Sequence, residues 1–165
     1  MCKRKGSVVV EFTLVGIPLI FALISIVEMS RGMWIYHTQA YAVNEGVRYV
    51  VVHGADCTSG GNTCGVTVGQ IASHIAAVGG GLNTSNWTVT LYSATSASVS
   101  CSPLSSCTTN TTVWPASPDN AVGASIAIAG SYTFNTSLAM FWPGTLPTKF
   151  GAFNLPAYAQ QVIQF

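Results

Sequence analysis

The pattern of hydrophobic positions changes twice along the chain. From Ser7 to Val27 apolar residues fill every side of a helical wheel; from Met29 to Val50 they narrow to a stripe; beyond Trp87 they alternate with polar ones. The first segment, read as a helix, is about 31 Å long and matches the hydrocarbon thickness of a bilayer, so it is expected to span a membrane. In the second, Met29, Met33, Tyr36, Ala40, Val43, Val47 and Val50 recur at alternating steps of four and three, with Glu28, Arg31, Thr38, Glu45 and Arg48 on other faces. This spacing predicts that the helix continues to about Val51, as a rod about 67 Å long that lies half in lipid and half outside it. Gly16, Pro18, Gly32 and Gly46 are its weak points, with Pro18 the candidate kink. Two uses of the seam are open: burial against the protein's own sheet, and packing against helices of neighbouring subunits.

After a Gly-rich loop from His53 to Gly65, the segment Thr67–Val78 carries Val68, Ile71, Ala72, Ile75 and Ala76 at helical spacing and stops at Gly79-Gly80-Gly81. Three strands are expected from period-two alternation: one through Trp87, Val89 and Leu91, one through Ile126, Ile128, Tyr132 and Phe134, and one through Phe153, Leu155, Ala157, Ala159 and Ile163. Pro156 has no N–H to give a ladder, so the last strand is an edge or is bulged there. The fold class expected is α+β, a long N-terminal helix packed on a small antiparallel sheet. Ser93–Asn120 reads as a Ser/Thr-rich loop with little core. Asn135–Lys149, with Leu138, Met140, Phe141, Trp142, Pro143 and Leu146, reads either as a flap closing one end of the core or as a subunit contact.

Charge sharpens the membrane reading. Only 7% of residues are charged, and three of the six basic residues are Lys3, Arg4 and Lys5. After Asp56 the charged residues are Asp119 and Lys149. A basic cluster before a single apolar span places residues 1–5 in the cytoplasm and the bulk of the chain outside, in a single-pass topology. A net charge of +1 offers no basic surface for nucleic acid.

Cys57, Cys64, Cys101 and Cys107 all fall in the exported part, whereas Cys2 does not. Exported cysteines, even in number and set in Gly/Ser/Thr-rich loops, read as disulfides; the short separations favour Cys57–Cys64 and Cys101–Cys107, although four cysteines permit three connectivities. A zinc site recruiting His53, Asp56 or His74 is the alternative, and neither cysteine pair has zinc-knuckle spacing. No metal or cofactor is expected. Hydrolase, zincin and phosphate-loop motifs are missing from the sequence, so the chain is read as a non-enzyme; an anchored enzyme would need a spatial cluster around His53, His74 or Asp119.

The most informative chemistry lies at residues 6–12. Glu11 is the one charged residue between Ser7 and Val27, and a carboxylate at the centre of a membrane helix costs about 2.5–3.5 kcal/mol, which points to function. Basic residues, Gly6, four residues, then Glu11 and Phe12 opening an apolar helix resembles the class III signal of type IV pilins and pseudopilins. Together with Glu28, Arg31-Gly32, Trp34 and Asn44-Glu45-Gly46-Val47-Arg48-Tyr49, it resembles more narrowly the TadE-like minor pseudopilins of the tight-adherence (Flp) pilus machinery. The length of 165 residues suits the minor class, since major pilins of this system are much shorter.

That resemblance implies cleavage between Gly6 and Ser7 by a prepilin peptidase, and an assembly role for Glu11, flanked by Phe12, whose carboxylate pairs with the new amine of an adjacent subunit. Its implied partners are that peptidase, other pilins or pseudopilins, the pilus assembly platform and the bacterial inner membrane. Two costly charges offset one another in such a pair, which sets register more than it adds stability. Cleavage would also take the formal charge from +1 to about −2 by removing Lys3, Arg4 and Lys5. The organisation expected is a leader over 1–6, a membrane span over 7–27, its continuation over 28–52 and an outer α+β domain over 53–165. The alternative is an unprocessed, membrane-anchored binding module.

Overall fold

The structure, a computed structural model, describes residues 7–60, 63–136 and 152–164. Helix α1 (Ser7–Val51) is one unbroken element of 45 residues that runs through Pro18, Gly32 and Gly46. A second helix, α2 (Val68–Val78), begins at a capping box: Thr67 Oγ1 accepts from the Gln70 amide at 3.2 Å while the Gln70 side chain accepts from the Thr67 amide at 2.9 Å. It ends where the Gly79 amide donates to the Ile75 carbonyl at 2.8 Å.

The strands β1 (Trp87–Ser93), β2 (Val99–Cys101), β3 (Ser125–Asn135) and β4 (Ala152–Val162) form one antiparallel sheet in the order β2-β1-β3-β4. Trp87 faces Tyr132, Leu91 faces Ile128, and Ala129 faces Tyr158 across the ladders. The period-two residues of β1 and β3 point to one side, where Trp87, Val89, Leu91, Ile126, Ile128, Tyr132 and Phe134 are buried. On β4 only Ala157 and Ala159 are buried, followed by Ile163 just beyond the strand. Pro156 sits opposite Ser131 on this edge strand, where a missing N–H leaves the sheet intact.

Both helices cover the apolar face of the sheet. Val43, Val47 and Val50 of α1 and Val68, Ile71 and Ile75 of α2 are fully buried in a single core. Gly46 lets the helices approach, because a Cβ there would stand 2.6 Å from Ile75 Cγ1. Gly69 does the same for α2 against the chain behind it, where a Cβ would meet the carbonyl oxygens of Thr108 and Asn110 at 2.7 Å. Gly46 lies near Ile128 and Gly32 near Phe134. The helix between those points is about 21 Å long and the strand about 20 Å, so β3 runs nearly antiparallel to α1 and β4 returns alongside it. The end of β3 and the start of β4 therefore lie at the end of the outer domain nearest the membrane-length half of α1.

The seam packs on the domain core at Val43, Val47 and Val50, and the structure corrects its first part. Met29, Met33 and Tyr36 are exposed, and the face of α1 turned to the sheet runs instead through Glu28, Ile35, Gln39, Val43, Gly46 and Val50. Glu28, expected on a face other than the seam, is buried. The Ser93–Asn120 segment also holds more structure than expected: β2 pairs with β1, and Leu104 and Trp114 are buried. The Trp114 amide donates to the Val66 carbonyl at 2.9 Å and ties this segment to the start of α2. Leu138, Met140, Phe141, Trp142, Pro143 and Leu146 of the apolar connection lie outside the described residues.

Candidate functional site

The two halves of α1 differ in what surrounds them. Val8, Val9, Val10, Phe12, Leu14, Val15, Ile17, Leu19, Ile20, Phe21, Leu23, Ile26 and Val27 are all more than half exposed, on every side of the helix. An apolar surface of this size, unbroken around a helix, is the mark of a membrane span or of burial among other helices. Among the described residues this is the one helix long and apolar enough to cross a membrane.

Its few hydroxyls are suited to such surroundings. Thr13 Oγ1 donates back to the carbonyls of Val9 and Val10, Ser25 to Phe21 and Ser30 to Ile26, at 2.8–3.1 Å. These polar groups are satisfied within the helix and ask nothing of the surroundings. Glu11 is the charged residue of this half: it sits one turn from the helix start, exposed among Val8, Val10 and Phe12. A carboxylate in the first turns of a helix also faces the positive end of the helix dipole. Ser7 is the first residue of α1, and Gly6 lies outside the described residues.

The cysteines are joined as Cys57–Cys64 and Cys101–Cys107, with sulfurs 2.00 and 2.07 Å apart. The first closes the loop just past α1; the second links β2 to the turn through Leu104. Their sulfurs are therefore bonded to each other and do not serve as thiolate ligands. Among the described residues, no group of three or more His, Cys, Asp or Glu side chains is placed to hold a metal ion.

The polar candidates fall into two arrangements. Tyr49, which sequence reasoning passed over as a hub, stacks on His74 at 4.6 Å and meets His53 at 4.5 Å between ring centroids. His53 Nδ1 also lies 2.6 Å from the Tyr49 carbonyl oxygen. The residues are one turn apart on α1 and its end, so the pattern Tyr-x-x-x-His was the available signal. Asp56 is exposed beside the first disulfide.

Asp119 is committed elsewhere. Its carboxylate accepts from Thr95 Oγ1 at 2.7 Å, from the Thr95 amide at 2.9 Å and from the Ser96 amide at 2.8 Å. The Thr95 hydroxyl first, and then these amides, hold its carboxyl well below the usual carboxylate range. This is the chemistry of a loop tie, in which a fixed anion gathers backbone donors. A carboxyl held so far below its ordinary range is a weak proton acceptor, poorly matched to the work of a general base near neutral pH.

Residues 6–48 match the model of a family described as TadE-like protein. The matched stretch takes in Gly6, Ser7, Glu11 and Phe12 and most of α1, and stops short of α2 and of the sheet. No curated protein and no solved structure matches the chain.

Proposed function

We propose, from the match to a pilus-associated family over residues 6–48 and from the bare apolar half of α1, that the chain is a pseudopilin-like minor subunit of a tight-adherence pilus system. The observation that carries the proposal is the division of α1. One half is used up against the protein's own sheet, while the other presents apolar side chains all round and a single acid at Glu11. A surface of that kind suits two environments in succession, a bilayer and then a bundle of like helices, because both are dry and neither needs a particular face.

In this reading a prepilin peptidase cuts after Gly6 at the cytoplasmic face of the inner membrane, and the new ammonium at Ser7 becomes available to Glu11 of a neighbour. Burying either charge alone is expensive, so the pair favours subunits that meet in register. The outer domain stays outside the membrane, held by α1, and the assembled subunit supports pilus biogenesis and surface adherence. Its partners are the peptidase, the other pilins and the assembly platform, and its chemistry is structural.

Intact mass of the protein extracted from native membranes tests processing. The mature mass is expected to lack residues 1–6, and Gly6→Ala is expected to retain them. Retention in the unaltered protein would overturn processing and favour an anchored module. Glu11→Ala is expected to be cut normally and to lose piliation; normal piliation would remove the assembly role.

A further inference from the structure

The outer domain meets α1 at its membrane end in an apolar groove of about 420 Å³, lined in part by Met29, Met33 and Tyr36 of the helix and by Phe134, Phe153 and Leu155 of β3 and β4. Met29, Met33 and Phe153 are 74%, 62% and 47% exposed, and Trp34, which lies over Gly81, is 51% exposed. Among the described residues this apolar surface is open, and a surface of this kind calls for an occupant.

Its position indicates which. The groove continues directly from the bare apolar surface that ends at Val27. Met29 and Met33 stand about 3 and 9 Å beyond Val27 along the helix. The interfacial zone on each side of a bilayer is about 5–8 Å deep, and an ordinary tilt of about 20° brings one side of the helix closer still. Trp34 and Tyr36, of residue types enriched at membrane interfaces, follow about 10 and 14 Å beyond Val27, just above that zone.

The charged groups at this level are held in a form suited to the interface. Arg31 Nη1 is 3.2 Å from Glu28 Oε1, Nη2 donates to the Asn135 carbonyl, and the guanidinium lies 4.7 Å from the centre of the Phe134 ring. Each sign thus meets its opposite inside the domain.

We infer that this end of the outer domain rests in the outer interfacial zone of the same bilayer that α1 crosses, with phospholipid chains entering the groove against Met29, Met33, Phe134 and Phe153. The subunit is then seated on the membrane before assembly as well as anchored through it, and leaving the bilayer requires the groove to shed lipid. This inference rests on the membrane-anchored reading of α1.

The test uses the full chain carrying Cys2→Ser, in phosphatidylcholine vesicles containing phosphatidylglycerol, with a nitroxide attached at Val15→Cys, Met33→Cys, Phe153→Cys or Tyr158→Cys. Collision with dissolved oxygen is compared with collision with a water-soluble nickel chelate. Tyr158 is exposed on β4, about 17 Å further along the strand than Phe153. The oxygen-to-nickel ratio at positions 33 and 153 is expected to exceed that at 158 several-fold and to remain below that at 15. If 33 and 153 match 158 while 15 is embedded, the domain does not rest on the bilayer and the inference is wrong. Shielding of 33 and 153 from both reagents would also overturn it, since protein would then fill the groove. A water-exposed label at 15 removes the membrane anchoring itself, and the inference with it.

Discussion

The N-terminal half of α1 and its C-terminal half share a backbone, a helix axis and an apolar composition, yet one is bare and the other is the spine of a domain core. Phe12 is 76% exposed and Val43 is fully buried. The difference lies in how apolar residues are distributed around the axis. Between Val8 and Val27 they occupy all sides, which no single sheet can cover; between Ile35 and Val50 they form a stripe bordered by His37, Asn44, Glu45 and Arg48, which the sheet and α2 together bury. Apolar content sets how much surface must leave water, and its distribution around the axis sets what kind of partner can remove it.

The comparison breaks most readily at Trp87, the largest fully buried side chain among the described residues. Trp87→Ala is expected to destabilise the outer domain by about 3–5 kcal/mol in denaturant unfolding of the detergent-solubilised protein. Leu19→Ala in the bare half is expected to leave that transition unchanged; a shared loss would mean that the halves are not independent. Replacing both Cys101 and Cys107 by Ala releases a loop with a sequence separation of 6, and is expected to cost about 2 kcal/mol in the same measurement.

Gly46→Ala sharpens the comparison more finely. Alanine favours an isolated helix over glycine by about 1 kcal/mol, but here its Cβ meets Ile75 at 2.6 Å in a filled core. A net loss of about 1 kcal/mol is expected from the crowding, whereas Gly16→Ala, whose Cβ finds only the Phe12 ring at 3.9 Å, is expected to cost nothing. The smallest effect is acid sensitivity. The folded-state value of Asp119 is depressed, so its contribution is complete above the unfolded carboxylate value of about 4. It is lost as pH falls through the lower folded value, because the unfolded chain then binds the proton more readily. Asp119→Asn is expected to flatten the acid limb of a stability-versus-pH curve, with little change in the bare half.

Much of this architecture was legible from spacing alone. The end of α1 near Val51, the span of α2 with its glycine stop, three strands and the edge position of Pro156 each follow from a local rule, because each is decided by residues a few positions apart. The side of α1 that meets the sheet was not legible. Met29 and Met33 extend the apolar spacing back from Val43, but the sheet narrows at that level to Phe134 and Phe153, and Gly32 rather than Met33 packs at its edge. Glu28 is buried because Arg31 and the end of β3 close around it, a contact made across more than a hundred residues. Strand β2 is only three residues long and is specified by its pairing with Val89–Leu91, which no pattern within Val99–Cys101 reveals.

Gly6, Ser7, Glu11 and Phe12 are proposed as processing and assembly residues from one short stretch of sequence. What sequence could not supply was the condition of the surface around Glu11. The groove at Met29, Met33 and Phe153 was invisible for the opposite reason: it is assembled from a helix and a strand far apart in the chain.

The near alignment of α1 with β3 and β4 has a mechanical consequence. The Gln164 amide donates to the Val51 carbonyl at 3.3 Å, so the chain's final stretch is fastened beside the top of the helix it began with. A pull on the bare half of α1 is directed along the strands, and the contacts from Ile35 to Val51 bear the load together in shear instead of peeling one at a time. A subunit hauled by its helix would thus transmit tension to its outer domain as a unit, with the Val43, Val47 and Val50 contacts as the coupling.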